Sequence, residues 1–121
     1  MEYVSVYLIG AGLYAGIELL WRGWTHWSML LCGGLCFLLM YLIAATSLPT
    51  VLKCLLCALS ISSVEFVTGC LVNIILKWNV WDYSDCAGNI LGQICPLYCF
   101  YWLLLSVPGI LLCSVLHRLI E

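Results

Sequence analysis

The chain has 121 residues, of which 65% are hydrophobic and 8% are charged, and its formal net charge is -2. With a mean hydropathy of +1.14, it has too few polar side chains to cover a water-soluble globule of this size. The few charged residues also form no clustered basic face, which excludes a typical nucleic-acid-binding protein. The composition therefore predicts an integral membrane protein whose first partner is the lipid bilayer.

Four hydrophobic stretches are each long enough to supply the ~20 helical residues that a bilayer core requires. The first has no basic start and no small-residue cleavage site, so we expect it to be a retained helix rather than a signal peptide. The stretches cover residues 3–20, 29–46, 51–76 and 94–116. They predict an all-α fold with one four-helix transmembrane domain over residues 1–121.

The connections between the stretches determine which of them share a membrane face. A short turn at Pro49 makes the second and third helices antiparallel neighbours, because proline cannot continue a helix. Since the spans alternate, residues 21–28 and 77–93 lie together on what we call the loop face. Both termini and the Pro49 turn lie on the terminal face. Each face carries two basic residues, so the positive-inside rule assigns no orientation: Arg22 and Lys77 on the loop face, Lys53 and Arg118 on the terminal face.

Tryptophan is concentrated at the loop face. One interpretation is a belt of indole rings at the headgroup level of the bilayer, and the other is a rim around a binding vestibule. The residues concerned are Trp21, Trp24, Trp27, Trp78 and Trp81.

Glu65 lies inside the third hydrophobic stretch and is the most unusual residue in the chain. A charged carboxylate at the bilayer centre costs roughly 2.5–3.5 kcal/mol on insertion scales, so Glu65 needs a partner or a proton. At 100° per residue, Ser62, Glu65, Gly69 and Asn73 fall within an arc of ~80° on one helix face. We expect this polar stripe to face protein or water rather than lipid.

The first helix has two features that could place it against this polar stripe or near it. Gly12 and Gly16 form G-x-x-x-G, a spacing that lets membrane helices approach closely, either against the polar stripe or at a seam between two copies. Glu18 and Arg22 are four residues apart, the spacing at which an ion pair forms on one helix face.

The loop after the third helix is rich in polar residues. It is either solvated or folded back between the helices, where protein or a wet cavity would have to satisfy its backbone. Ile90, Leu91 and Ile94 favour the second alternative because they interrupt the polar segment. Its polar residues are Asn79, Asp82, Tyr83, Ser84, Asp85, Asn89 and Gln93.

Several motifs together carry a family resemblance. They are E-F-V-T-G at 65–69, W-D-Y-S at 81–84, N-x-x-G-x-I-C at 89–95, Trp102, and E-x-x-x-R-G at 18–23. This combination resembles the CmpB-like family of type IV ABC-transporter permeases over most of the chain. The resemblance implies a permease in a bacterial cell membrane.

The sequence limits how such a permease could work. It contains no G-x-x-x-x-G-K-[ST] phosphate loop, so the chain is not expected to hydrolyse ATP by P-loop chemistry. A separate ATPase subunit or an ion gradient would then drive transport. Because 121 residues are few for a transport path, we also expect a homodimer or a higher homo-oligomer.

Three functions remain open from the residues. The first is transport of a small solute or ion, proton-coupled through the buried Glu65, and the second is a non-transporting membrane partner or assembly subunit. The third is an intramembrane enzyme that uses Glu65 or Asp82 as an acid–base, or the C-x-x-C cysteine pair for redox chemistry, although no second catalytic constellation supports it. The residues predicted to form the pathway are Glu65, Glu18, Arg22, Asn73, Asp82, Tyr83, Asn89 and Gln93.

The chain has nine cysteines, an odd number that argues against a disulfide scaffold. Most lie in apolar spans, where cysteine behaves as a small buried hydrophobe. Cys54 and Cys57 form a C-x-x-C, which is a weak redox signal by itself. His26 and His117 fall on opposite faces, so we predict no metal site and no cofactor.

Overall fold

A computed structural model describes residues 2–23 and 26–120, with only the backbone of Arg22 and Ile120. Its four α-helices are α1 (Glu2–Arg22), α2 (Trp27–Ala44), α3 (Thr50–Gly69) and α4 (Pro96–Ile120), and α3 continues into a π-helical segment at Cys70–Ile75. Four helical spans are long and apolar enough to cross a membrane. The predicted all-α fold is confirmed, and each span end lies within four residues of its expected position.

Side chains next to the helix ends satisfy backbone groups that the helices leave free. His26 precedes α2 in an extended conformation, and its Nδ1 accepts a hydrogen bond from the backbone N–H of Ser28 at 3.2 Å. At the other end of α2, Lys53 Nζ donates to the carbonyl oxygen of Ala44 over 2.9 Å. This bond joins α2 to α3 across the Pro49 turn, and the two helices are neighbours as expected.

The closest packing lies between α1 and α2 and depends on glycine. A Cβ atom at Gly33 would overlap the Tyr14 side chain, and one at Gly10 would overlap Phe37. Both glycines are buried. Small residues therefore allow these two helices to approach each other, as is common in membranes.

The predicted contact between the G-x-x-x-G of helix 1 and the third helix is wrong. Gly12 and Gly16 are exposed, and nothing lies within 4 Å of a Cβ placed on either. Gly12 is about 200° from Gly10 around the helix, so the face that packs on α2 turns Gly12 outward. The other interpretation, a seam between two copies, stays a prediction.

Cysteine contributes to the centre of the bundle. All nine cysteines are free and six are buried. Cys54 and Cys57 both lie in the main core cluster, which also contains Cys36 and Cys113. These thiols pack as small apolar groups, as the sequence predicted.

The π-helical segment is a feature that the sequence analysis did not predict. The N–H of Leu76 donates to the carbonyl of Leu71 over 2.9 Å, which is the i to i−5 pattern of a π-helix. Asn73 lies inside this segment. The wider turn rotates residues 73–76 away from the positions that a straight α-helix would give them.

One end of the bundle is closed by a polar cluster. The Tyr41 hydroxyl donates to Glu2 Oε1 over 2.8 Å and lies 2.9 Å from His117 Nδ1. His117 Nδ1 and Glu2 Oε1 are 4.0 Å apart. The beginning of α1 and the last turn of α4 therefore meet at the same end of the bundle as the end of α2.

Candidate functional site

The loop between α3 and α4 folds back against the helices. Val80 and Trp81 are buried and form a cluster with Met29 of α2 and Val72 of the π-helical segment. Of the two alternatives that the sequence left open, this part of the loop therefore follows the folded one.

The residues that anchor the loop are not those expected from its apolar interruptions. Ile90 is 52% exposed and Leu91 is 66% exposed, so two of the apolar residues that favoured a folded loop do not themselves pack between the helices. Leu91 lies at a turn and has a φ of 54°. Ile90 pairs with Ile94 through its backbone, because the Ile90 N–H donates to the Ile94 carbonyl over 2.9 Å. The turn geometry at this end of the loop leaves both side chains outside.

Asn73 and Gln93 hold the loop to the end of the third span. Asn73 Oδ1 accepts from the backbone N–H of Val80 at 2.7 Å and of Trp81 at 3.3 Å, and its Nδ2 donates to Gln93 Oε1 over 2.7 Å. The Trp81 indole N–H donates to the Gln93 carbonyl over 3.0 Å. We call these four residues the loop clasp.

Gly69 makes room for the clasp. A Cβ at this position would lie 2.5 Å from Gln93 Oε1 and 2.8 Å from Trp81 Cζ2. Real Cβ atoms essentially never make contacts this short to such atoms. The loop can therefore lie directly on the backbone of α3 because this residue has no side chain.

Two further polar residues shape the loop itself. Asn89 Nδ2 donates to the carbonyls of Ser84 and Cys86, and its Oδ1 accepts from the N–H of Gly92. Asp82 Oδ1 accepts from the backbone N–H of Ser84 at 2.9 Å, which closes a turn. Hydrogen bonds from the Ser84 side chain and backbone hold the pKa of Asp82 below its ordinary value.

A cavity of about 680 Å³ lies between α1, α4 and the folded loop. Seven of the fourteen residues that line it are aromatic, and two are acidic, Glu18 and Asp82. No basic residue is among the described residues of the lining. The aromatic residues are Tyr14 and Trp21 from α1, Trp81 and Tyr83 from the loop, and Tyr98, Tyr101 and Trp102 from α4.

Ring contacts join the three walls of the cavity at the loop end. Trp21 meets Tyr101 edge to face, with ring centroids 6.1 Å apart, and Tyr101 meets Tyr98 edge to face at 5.4 Å. Tyr98 stacks on Tyr83 of the loop at 4.6 Å. Aromatic pairs at these distances are favourable, so they help to fix the shape of the cavity.

A pair of buried acids lies at the inner wall. Glu18 lines the cavity and is 9% exposed, whereas Glu65 is 4% exposed and interacts with Glu18, Cys32 and Trp102. Tyr14 and Trp102 stack with centroids 6.0 Å apart on this wall. The buried Trp102 indole N–H makes no hydrogen bond of ordinary geometry with a described residue, although it approaches the Glu65 carboxyl closely enough to interact with it.

Four of the predicted pathway residues come together here. Glu18, Asp82 and Tyr83 line the cavity, and Glu65 lies immediately behind its inner wall. Asp82 is exposed. Burial of the Tyr83 hydroxyl raises its pKa well above the ordinary value, with a smaller contribution from Glu65.

Three other predicted pathway residues are not among the described residues that line this cavity. Asn73 and Gln93 belong to the loop clasp, and Asn89 hydrogen-bonds within the loop. The side chain of Arg22 lies outside the described residues, and so does its predicted ion pair with Glu18. Glu18 itself is not without an interaction partner.

Residues of α4 are the part of the site that sequence reasoning missed. Tyr98, Tyr101, Trp102 and Leu105 line the cavity. Their spacing of three, one and three residues places them on one helical face. On α1, Tyr14, Glu18 and Trp21 are four and three residues apart and also share one helical face, and this pair of faces with aromatic residues was the available signal.

The tryptophans of the loop face divide between the two interpretations. Trp27 and Trp78 are exposed and lie 5.4 Å apart, as expected of an interfacial belt. Trp21 and Trp81 line the cavity, as expected of a rim. Trp24 lies outside the described residues.

The two histidines lie at opposite ends of the bundle. His26 precedes α2 beside Trp27 and Trp78, and His117 contacts Tyr41 at the other end. Among the described residues, no three His, Cys, Asp or Glu side chains are grouped closely enough to bind a metal ion.

Comparison with known proteins supplies one match. A family profile described as "putative ABC-transporter type IV" matches residues 15–121. The match includes both buried acids, the loop clasp and α4. No curated protein and no solved structure matches the chain. With four apolar spans and a family match over most of its length, the chain is an integral membrane protein that belongs to the CmpB-like family of type IV ABC-transporter proteins.

Proposed function

We propose that the chain is a transport subunit that moves a small solute through the aromatic cavity in exchange for a proton on Glu65. The observation that carries the proposal is the position of Glu65, a carboxyl that is 4% exposed within a membrane span and adjoins the cavity wall. Membrane spans rarely contain ionisable residues without a functional reason.

The chemistry follows from the surroundings of the two acids. A carboxyl removed from water favours its neutral form, and a nearby positive charge favours its ionised form. A positively charged solute in the cavity and a proton on Glu65 therefore compete. Binding of one releases the other, which is the requirement for coupled exchange.

In this conformation a solute could move no further through the bundle than Glu65. Glu65 lies ten residues from the end of its span at Ile75, about 15 Å along a helix that rises 1.5 Å per residue. Beyond it, toward the Pro49 turn, the bundle is filled by buried residues that include Cys57, Ile61 and Cys113. Transport would therefore require a second conformation that opens the other end.

We also infer that the working unit contains two or more copies, with the termini on one side of the membrane. The exposed Gly12 and Gly16 offer a surface on which a second copy could pack closely. A proton gradient is the proposed energy source. A separate ATPase subunit is the other source that the family description suggests.

The test uses the purified chain in liposomes that contain a pH-sensitive dye and no ATP. Cationic, anionic and neutral solutes are added in turn, and the internal pH is followed for the unaltered chain and for Glu65→Gln. Glutamine keeps the shape of the side chain but carries no titratable proton. We expect one class of solute to move protons with the unaltered chain and not with the variant.

Two results would reject the proposal. One is the absence of solute-dependent proton movement with all three classes, and the other is equal movement with Glu65→Gln. The alternative function, a non-transporting partner subunit, gains support if Glu65→Gln assembles normally and Glu65→Leu does not, because Glu65 would then act as a hydrogen-bonding group between helices.

A further inference from the structure

We propose that the solute of this cavity is a lipophilic organic cation, a positively charged molecule with an apolar body. That such a cation is transported rests on the proposed function, whereas its binding to the cavity can be tested separately. Four features of the cavity carry it: the aromatic rings, the acids, the apolar side chains of the lining and the opening between α1 and α4.

The aromatic rings favour positive charge. The face of a tyrosine or tryptophan ring carries a negative quadrupole that attracts a cation within about 6 Å of the centroid, and tryptophan attracts most strongly. Half of the lining residues are aromatic and they come from α1, the loop and α4. A bound molecule would therefore have rings on several sides.

The acids also favour a positively charged molecule, and they lie along the length of the cavity. Asp82 is exposed at the loop, Glu18 lies on the wall, and Glu65 lies behind the inner wall. Hydrogen bonds to Ser84 keep the pKa of Asp82 low, so this residue is ionised at neutral pH. A cation would meet negative or ionisable groups throughout, whereas the described lining residues offer an anion no positively charged side chain.

The apolar part of the lining selects against a bare inorganic ion. Ca²⁺ and Mg²⁺ favour sites with several oxygen ligands, and the described residues contain no group of three His, Cys, Asp or Glu side chains that could hold such an ion. Ile17, Met29, Leu104 and Leu105 would instead contact an apolar body. A volume of about 680 Å³ also lies within the usual range of small-molecule pockets.

The outer surface of the cavity suggests how such a molecule would enter. Ile17 is 44% exposed and Leu104 is 53% exposed on the surface of the bundle, and both also line the cavity. The gap between α1 and α4 therefore faces the region of the bilayer hydrocarbon. A lipophilic cation that has partitioned into the membrane could reach the rings from the side.

The test compares two probes of the same shape and opposite charge. Tetraphenylphosphonium and tetraphenylborate are titrated separately into the chain in lipid nanodiscs, with empty nanodiscs as the blank for partitioning. We expect saturable binding of the phosphonium ion and none of the borate ion. Equal saturable binding of both, a preference for the borate ion, or no saturable binding of either would overturn the inference.

Variants locate the binding to the cavity. Trp102→Leu should weaken phosphonium binding about tenfold or more, because it removes a ring from the inner wall. Trp102→Phe keeps an aromatic ring that attracts cations less strongly, so it should weaken phosphonium binding by a smaller factor. This variant still tests the cavity if Trp102→Leu does not fold. Trp27→Leu removes a loop-face ring outside the cavity and should leave binding unchanged. Equal losses in Trp102→Phe and Trp27→Leu would contradict the assignment.

The binding test and the transport test can fail separately. If the phosphonium ion binds and no solute moves protons, the binding inference stands and the proposed function fails. If an anionic or neutral solute moves protons through Glu65 while the phosphonium ion does not bind, transport stands and the inference about the solute fails.

Discussion

Asn73 Nδ2 donates to Gln93 Oε1 over 2.7 Å and thereby joins the last turn of the third span to the end of the following loop. The same side chain accepts two backbone N–H groups from the start of that loop, at Val80 and Trp81. One amide therefore fixes both ends of a polar segment, and with it the wall of the cavity that contains Trp81 and Tyr83.

We expect Asn73→Ala to release the loop. The substitution removes the oxygen that accepts from the partly buried N–H groups of Val80 and Trp81 and the N–H that donates to Gln93 Oε1, at a cost of about 1–3 kcal/mol for each group that stays unsatisfied. Amide hydrogen exchange over residues 80–93 should become faster while exchange in α2 does not change. Asp85→Asn, an exposed change in the same loop, is the control. Equal exchange in both variants would contradict the role of Asn73.

Gly69→Ala tests the same clasp from the helix side. The added methyl group would lie 2.5 Å from Gln93 Oε1 and 2.8 Å from Trp81 Cζ2, so these two side chains must shift even though alanine favours the helix itself. We expect lower thermal stability and weaker protection of Trp81. Val67→Ala, a change at an exposed position of the same helix, is the control, and an equal loss there would show that the Gly69 effect is not steric.

Much of the fold follows from the sequence because a bilayer imposes simple length and polarity requirements. Ser62 and Glu65 are buried together on α3, as the helical wheel predicted, since a polar stripe has to avoid lipid. The glycine of α1 that contacts another helix could not be identified from the sequence, because Gly10 and Gly12 are equally small. Only the partner side chain, Phe37, shows which of them faces another helix.

The site was less predictable than the fold. The acids were visible because charge is rare in a membrane span. Aromatic residues are common in such spans, and Trp102 was noted only as part of the family resemblance and not as a residue of the site. The π-helical segment has no comparable sequence signal. It became apparent from a backbone bond, Leu76 N–H to Leu71 O, and from the polar contacts of Asn73 that accompany it.

Acid should loosen the loop through Asp82. The pKa of this carboxyl is lowered in the folded chain by hydrogen bonds from Ser84, so its contribution is present above the ordinary Asp pKa of about 3.9 and is lost as the pH falls through the lower folded value. Near-UV circular dichroism should therefore stay constant from pH 8 to pH 5 and change below about pH 4. Asp82→Asn can keep the turn but cannot titrate, so the difference between the two curves isolates this residue. Identical curves would count against the assignment.

Assembly of more than one copy predicts a specific effect at the outer face of α1. Gly16→Leu should reduce the mass of the particle measured in nanodiscs, because the larger side chain would keep a second copy at a distance. Leu13→Ala, a change on the same exposed side that reduces volume, should not reduce it. A particle mass that corresponds to one copy of the unaltered chain would contradict the proposed contact between copies.

The most direct test of the account is the number of protons released when tetraphenylphosphonium binds. Calorimetric titrations near pH 7 in two buffers of different ionisation enthalpy measure that number, because released protons add the heat of buffer protonation. We predict proton release with the unaltered chain, tighter binding as the pH rises, and neither effect with Glu65→Gln. Binding heat that does not depend on the buffer in the unaltered chain, or the same proton release with Glu65→Gln, would contradict the exchange of cation and proton at Glu65.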